Sequence, residues 1–223
     1  MTMLLAVDTS TSLTGLALYD GVQVLGEMTW ITRQHHTAEL SPALSGLLSR
    51  CGVSMGMVNA LGVAVGPGSF TSLRVGLSLV KGIALARNLP VMGIPTLDVI
   101  ATAQPLAEHP LIAIIQAGRT RIAFSVYENN GKQWQAEGPI RSGTLEELIA
   151  GIDSPASIAG ELTSEERKKI SKAKKLHLAS PALCVRRPAV LAELAWNRWR
   201  NHDVDDAATL APIYLHVAGT PIS

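Results

Sequence analysis

Apolar and polar positions along this chain recur in two runs of similar order. Leu4-Leu5-Ala6-Val7 is an apolar run that stops at Asp8 and predicts a buried strand. A hydroxyl-rich turn, Thr9-Ser10-Thr11-Ser12, follows. Residues 13–19 alternate as a second strand, Asp20-Gly21 marks a hairpin, and residues 22–30 supply the returning strand. The chain therefore opens with a predicted three-stranded antiparallel meander. Leu40, Leu44, Leu47, Leu48 and Cys51 then fall on one face of a helix, with Pro42 either starting it behind Ser41 or kinking one begun near Thr37. Next come a strand at 60–65, a glycine-rich loop, a long helix to Asn88, a short strand at 91–94, and a helical stretch that Pro95 and Thr96 open and that reaches about Leu106.

The pattern restarts around Glu108-His109-Pro110. Residues 111–115, 122–127 and 133–140 read as strands, with Asn129-Asn130-Gly131 as the turn between the last two. A helix is predicted at 145–150, a strand at 157–159, a charged helix at 164–175 and an amphipathic helix at 189–201. A meander at the start of each half predicts two lobes of like topology with a cleft between them. That is the actin-like nucleotide-binding architecture, an α/β fold, with one lobe over residues 1–105 and a smaller one over 106–223.

Composition narrows the class. In 223 residues, 47 % are hydrophobic and only 17 % are charged, so the chain can bury a good core, and it carries little charge for a monomer. A net charge of +1 predicts no strong attraction of the whole protein to nucleic acid. Cys51 and Cys184 are far apart and form no C-x-x-C pattern, which suits a reducing cytoplasm. No apolar run is long enough for a bilayer, and the start of the chain shows no export signal.

The candidate chemistry lies in Gly66-Pro67-Gly68-Ser69-Phe70-Thr71. Strand, glycine turn and helix start form a geometry in which free backbone N–H groups can cradle a phosphate, and Ser69 and Thr71 can cap the helix. A tight turn with no ligand fits the same residues. The loop is not a dinucleotide fingerprint, because no acid follows until Asp98, and no Gly-Lys-Ser/Thr makes it a Walker A loop. Asp8, at the end of the first strand, faces the cleft in an actin-like fold; the alternative is an Asx turn to Ser10. The candidate phosphate-binding set is thus Asp8, Thr9, Ser10, Gly66, Gly68, Ser69 and Thr71. His35-His36 sits in no metal-ligand spacing, no G-x-S-x-G elbow occurs, and no metal site is expected. The basic run Arg167-Lys168-Lys169 with Lys172, Lys174 and Lys175 reads as a solvated helix face, with contact to an RNA backbone as the alternative.

The helix after the loop is apolar over much of its girth. Ser78, Gly82 and Ala86 form a small-residue groove beside Val75, Leu79 and Ile83, while Leu73, Leu77, Val80 and Ala84 fill another side. Such a helix is buried on more than one face. A partner surface is therefore expected from Val75, Ser78, Leu79, Gly82 and Ile83, together with Leu40, Leu44 and Leu47 of the preceding helix.

Leu5-Ala6-Val7-Asp8-Thr9-Ser10-Thr11, His36-Thr37-Ala38-Glu39-Leu40, the stretch from Gly66 through Leu77 and Lys81-Gly82 resemble the TsaB (YeaZ) family, the non-catalytic paralogue of the TsaD ATPase, both once filed as glycoproteases. The resemblance covers roughly residues 3–100, with a late Pro212-Ile213-Tyr214-Leu215. It implies an actin-like ATPase (ASKHA, ribonuclease H-like) fold. It also implies a scaffold role in making N6-threonylcarbamoyladenosine at position 37 of tRNAs that read ANN codons. TsaD-like and TsaE-like subunits are the implied partners; self-pairing is expected when the chain is alone, and tRNA contact is indirect or weak. No cofactor is firmly implied, and nucleotide binding would be weak. Ser72 stands where the family has glycine, and Gln116-Ala117-Gly118-Arg119-Thr120-Arg121 lacks the family's acid. His36 is followed four residues on by Leu40, so the two-histidine metal motif of TsaD is absent. The alternative is a stand-alone nucleotide hydrolase or glycoprotease-type peptidase.

Overall fold

Two five-stranded mixed sheets carry the same strand order. The computed structural model describes residues 2–32, 36–118 and 120–214. The first sheet contains β1 (Leu4–Asp8), β2 (Leu13–Tyr19), β3 (Val24–Ile31), β4 (Ala60–Gly66) and β5 (Val91–Pro95), in the order β3-β2-β1-β4-β5. The second contains β6 (Leu111–Gln116), β7 (Ile122–Asn129), β8 (Trp134–Gly143), β9 (Ala156–Gly160) and β10 (Leu176–Leu178), in the order β8-β7-β6-β9-β10. In each, an antiparallel meander leads into two parallel strands. This repeated topology is the actin-like, ribonuclease H-like fold.

β1 is buried at every position because helices cover both faces of its sheet. On one face Leu5, Val7, Leu16, Leu61 and Val63 pack with α1 (His36–Arg50) and α2 (Phe70–Arg87). On the other, Leu4, Ala6, Ala17, Ala60 and Ala64 meet Leu191, Ala192 and Ala195 of α6 (Pro188–Arg200). The second face is built of small residues, so α6 lies close: a Cβ on Gly62 would sit 2.7 Å from that of Ala195. α3 (Thr96–Thr102) leaves the first sheet and packs on the second through Leu97, Ile100 and Ala101. Short helices α4 (Leu145–Ala150) and α5 (Ser164–Ile170), each opened by a complete capping box, cover the opposite face.

The expected lobe division, 1–105 and 106–223, separates the sheets but not the helices. α6 returns from the second half to the first sheet, and α3 crosses the other way. Apolar periodicity marks a buried face without saying which sheet buries it. Pro42 lies inside α1, the second of its two expected placements. Two helix ends shift: α3 ends at Thr102 and the charged helix at Ile170, and β10 forms at 176–178, where no element was expected.

The crossing of α3 is fixed by Tyr127, whose hydroxyl donates to Asp98 Oδ1 at 2.7 Å. Burial pushes the Asp98 carboxyl above its ordinary range, and the Tyr127 hydrogen bond offsets this only in part. A raised folded-state pKa means that stability is fully present below the unfolded value and is lost as pH rises through the folded one. Asp98→Asn should therefore gain on the parent at neutral pH, and the gain should shrink towards about pH 4, near the ordinary aspartate pKa. Urea unfolding at both pH values checks this; a gap that widens in acid would contradict it.

Candidate functional site

The glycine loop, the β1–β2 turn and the start of β9's exit loop converge on one cleft. About 810 Å³ of space is lined by Thr11, Ser12 and Gly68–Ser72 from the first sheet's side and by Gln116–Gly118 and Glu161 from the second's. The sequence-predicted phosphate set is thus brought together, but its polar atoms bond to one another. Asp8 Oδ1 accepts from Ser10 N at 2.8 Å, closing an Asx turn. Thr9 Oγ1 donates to Ser72 O at 2.7 Å and accepts from Gly76 N at 3.2 Å. Ser10 Oγ lies 2.8 Å from Thr96 Oγ1, and Ser10 O accepts from Ser69 N at 2.7 Å. A Cβ on Gly68 would lie 2.2 Å from Ser10 O, so the loop is pressed against the turn, not held off it around a ligand. Gly66 provides the positive φ at the strand end, and Ser69 caps α2. Gly68, Ser69 and Thr71 line the cleft; Asp8, Thr9 and Ser10 are buried beneath it.

The residue the sequence reading missed is Arg186. It is 1 % exposed and stands between the lobes. Its Nε donates to Asp8 Oδ2 at 2.8 Å, and its Nη1 pairs with Glu161. Its Nη2 donates to Thr11 Oγ1 at 3.0 Å and to Leu13 O at 2.7 Å. Thr11 Oγ1 in turn donates to Glu161 Oε1 at 2.8 Å. Burial alone would draw the guanidinium pKa down, but the Asp8 and Glu161 carboxylates outweigh it and the net shift is upward. Arg186 therefore stays charged. It lies 178 residues from Asp8, in a short polar step before α6, and no local signal distinguishes it from a surface arginine.

An actin-like cleft would hold a nucleotide and its metal against Asp8 and the glycine loop. The residues here do not fit that group. Both Asp8 oxygens are engaged, one by a cation, and Ser69 N is already bonded. Among the described residues no three His, Cys, Asp or Glu side chains cluster as metal ligands. His36 Nε2 lies 2.9 Å from Thr11 O, and His35 lies outside the described residues, as do Leu215 and Arg119. In the basic run, Lys169 pairs with Glu146, while Arg167 and Lys175 donate to the carbonyls of Ala179 and Asp153. No helix among the described residues is long and apolar enough to cross a membrane.

The expected partner surface is divided by the structure. Leu40, Leu44 and Leu47 are buried in the chain's own core under α1, so they cannot form an outer face. The heptad-like spacing of these leucines reports the side facing the first sheet. On α2, Ser78 and Gly82 are exposed, with half-buried Val75, Leu79 and Ile83 beside them. Among the described residues nothing lies within 4 Å of a Cβ built on Gly82. Leu85 and Phe70 add 66 % and 50 % exposed apolar side chains to the same helix.

Sheet order, cleft and internal ion set define an actin-like two-lobed protein whose cleft floor is closed by a buried ion set. A family model described as "TsaD: tRNA N6-adenosine threonylcarbamoyltransferase" matches residues 26–189. A Bacillus subtilis protein named "tRNA threonylcarbamoyladenosine biosynthesis protein TsaB" is 26 % identical over 220 residues, covering 96 % of this chain and 94 % of the relative. The Escherichia coli protein of the same name is 31 % identical over 134 residues, 60 % of this chain and 54 % of the relative. The solved structure "YeaZ from Pseudomonas aeruginosa" superposes with a TM-score of 0.79 at 22 % identity, covering 96 % of this chain and 100 % of that one. The chain belongs to the TsaD family and, within it, to the TsaB (YeaZ) branch.

Removing one partner of a buried ion pair leaves an uncompensated charge and costs about 3–5 kcal/mol. Arg186→Met should destabilise the chain by that order, and adding Asp8→Asn to it should recover part of the loss by removing one of the two stranded carboxylates. Denaturant unfolding of the single and double variants reads both. An Arg186→Met variant as stable as the parent would show that the ion set does not hold the lobes.

Proposed function

We propose that this chain is a non-catalytic scaffold subunit of the assembly that makes N6-threonylcarbamoyladenosine at position 37 of ANN-decoding tRNAs, supporting a TsaD-like catalytic subunit in the cytoplasm. The observation that carries the reading is the state of Asp8: the acid an actin-like enzyme would turn to its metal is bonded on both oxygens, to Ser10 N and Arg186. The names carried by the relatives supply the pathway. Docking falls to the outer face of α2, where Ser78 and Gly82 let a second helix approach closely and Val75, Leu79 and Ile83 supply apolar area. An exposed apolar face of this kind marks an interaction site. On this reading the free chain pairs with itself through the same face, a TsaE-like ATPase joins the assembly, and tRNA contact is indirect or weak.

Two measurements test the reading. The isolated chain should turn over neither ATP nor peptide substrates; turnover that disappears in Asp8→Ala would restore the enzyme reading. Gly82→Leu starts a bulky side chain at a Cβ position that no atom of the described residues approaches within 4 Å, so the variant should melt as the parent does. It should bind the TsaD-like subunit about ten- to a hundredfold more weakly, the equivalent of an overpacking cost of about 1–3 kcal/mol. Unchanged affinity in a folded variant would move the interface elsewhere.

A further inference from the structure

α2 begins in a cluster of three exposed side chains, Phe70, Arg74 and Tyr214, at the rim of the cleft that Phe70 also lines. The Arg74 guanidinium carbon lies 3.6 Å from the centroid of the Phe70 ring. The Phe70 and Tyr214 rings are 4.9 Å apart, and Arg74 Nε donates to Tyr214 Oη at 3.1 Å. The segment bearing Tyr214 is itself anchored: Ile213 N donates to Val65 O at 2.7 Å, and Lys81 Nζ donates to the carbonyls of Ala208 and Leu210. Beside the cluster a concavity of about 350 Å³ is lined by Thr37, Phe70, Thr71, Arg74, Val75 and Ser78.

Two properties make this more than a surface arginine. Stacking and the Nε bond fix the guanidinium plane, while its Nη groups make no hydrogen bond among the described residues. A planar fork held in this way is preorganised for bidentate recognition of a carboxylate. The charge that α2 itself carries is also of one sign. α2 contains Arg74, Lys81 and Arg87 and no acid. The single acid of α1, Glu39, is bonded to Trp30 Nε1 at 2.8 Å.

We propose that Arg74 is the carboxylate anchor of the docking face, so that the partner this face fits presents an Asp or Glu from a helix laid along α2. The proposal rests on the reading of α2 as the docking face. It carries a consequence for self-pairing. In a symmetric pair the same patch meets itself. Whatever the register of two α2 helices, their charges are all positive, and Arg74 finds no carboxylate on the facing helix. The face therefore discriminates: it favours an acidic partner helix over a second copy of this chain.

The experiment compares Arg74→Glu, Arg74→Lys and Gly82→Leu in the full chain. Affinity for the TsaD-like subunit is measured by calorimetry at low and high salt, self-association by sedimentation, and folding by thermal melt. Arg74→Glu should lose about 30-fold or more in partner affinity, the size of an interface hot spot, without weakening self-association. Arg74→Lys, which keeps the charge but not the fork, should fall between it and the parent. Partner binding by the parent should weaken as salt rises, whereas self-association should not. Where Arg74→Glu melts early, Arg74→Gln replaces it with the same expected direction. Parent-like partner affinity for the Arg74 variants, with Gly82→Leu impaired, would overturn the anchor and leave the docking face standing. Parent-like affinity for all variants would overturn the docking face as well. Equal loss of partner binding and self-association in Arg74→Glu would mean that Arg74 shapes the face and selects no carboxylate, and would also overturn the proposal.

Discussion

The two sheets meet around buried charge, and one guanidinium compensates it. Asp8 ends the central strand of the first sheet, and Glu161 follows a strand of the second. Set together without Arg186, they would be two carboxylates close together, Asp8 fully buried and Glu161 at the cleft wall, a repulsion that grows as the effective dielectric falls. Arg186 sits between them with four of its five donors engaged, two on carboxylates, one on Thr11 and one on Leu13. A buried ion set need not stabilise a fold beyond what apolar packing would give. What it does here is geometric: the bonds work only when β1, the β1–β2 turn, the exit of β9 and the step before α6 take one relative placement. The same bonds remove Asp8 from any role as a ligand.

The duplicated topology is used unequally. In the first sheet the helix that follows the parallel strand and its glycine turn is α2, with 18 residues; its counterpart in the second sheet, α5, has 7. α1 has 15 residues and its counterpart α4 has 6. Long helices bury a wide stripe inward and still present an outer face, while single-turn or two-turn helices do little beyond covering the sheet. The first half therefore carries long helices with an exposed outer side, whereas the helices on the second sheet are short. α6 then ties the halves together by packing on the first sheet from the far side.

The strand pattern and the duplicated order were legible because alternation and turn signals are local: Asp20-Gly21 and Asn129-Asn130-Gly131 each sit between the strands they connect. The glycine loop was legible for the same reason. Its bonding was legible only in part: the Asx turn from Asp8 to Ser10 was one of the two readings, and the Arg186 contact was not foreseen. Asp8 and Ser69 carry the residue types of a phosphate site, and only their partners distinguish a cradle from a packed turn. Those partners are Ser10, close in sequence, and Arg186, which is not. The leucines of α1 erred in the opposite sense: Leu40, Leu44 and Leu47 mark an apolar stripe correctly, but a stripe has the same spacing whether it covers the chain's own sheet or another protein. β10 escaped because three residues carry too little periodicity to outweigh the charged run before them.

α2 itself supplies the comparison that gives its outer face meaning. It bears small residues on two sides. Inward, Ser72 and Gly76 meet the β1–β2 turn so closely that a Cβ on Gly76 would lie 2.3 Å from Thr9 Oγ1, and the polar atoms there are paired. Outward, Ser78 and Gly82 repeat the same four-residue spacing on an exposed side of the helix. Within one helix, then, the first stripe demonstrates what such a surface does when matched: it brings backbone to within hydrogen-bonding reach of a neighbour. Glycine in mid-helix costs about 0.5–1 kcal/mol relative to alanine. At Gly76 close packing offsets that cost inside the chain. At Gly82 no contact among the described residues does so, and on the proposed reading the compensating contact is made by the helix of another subunit.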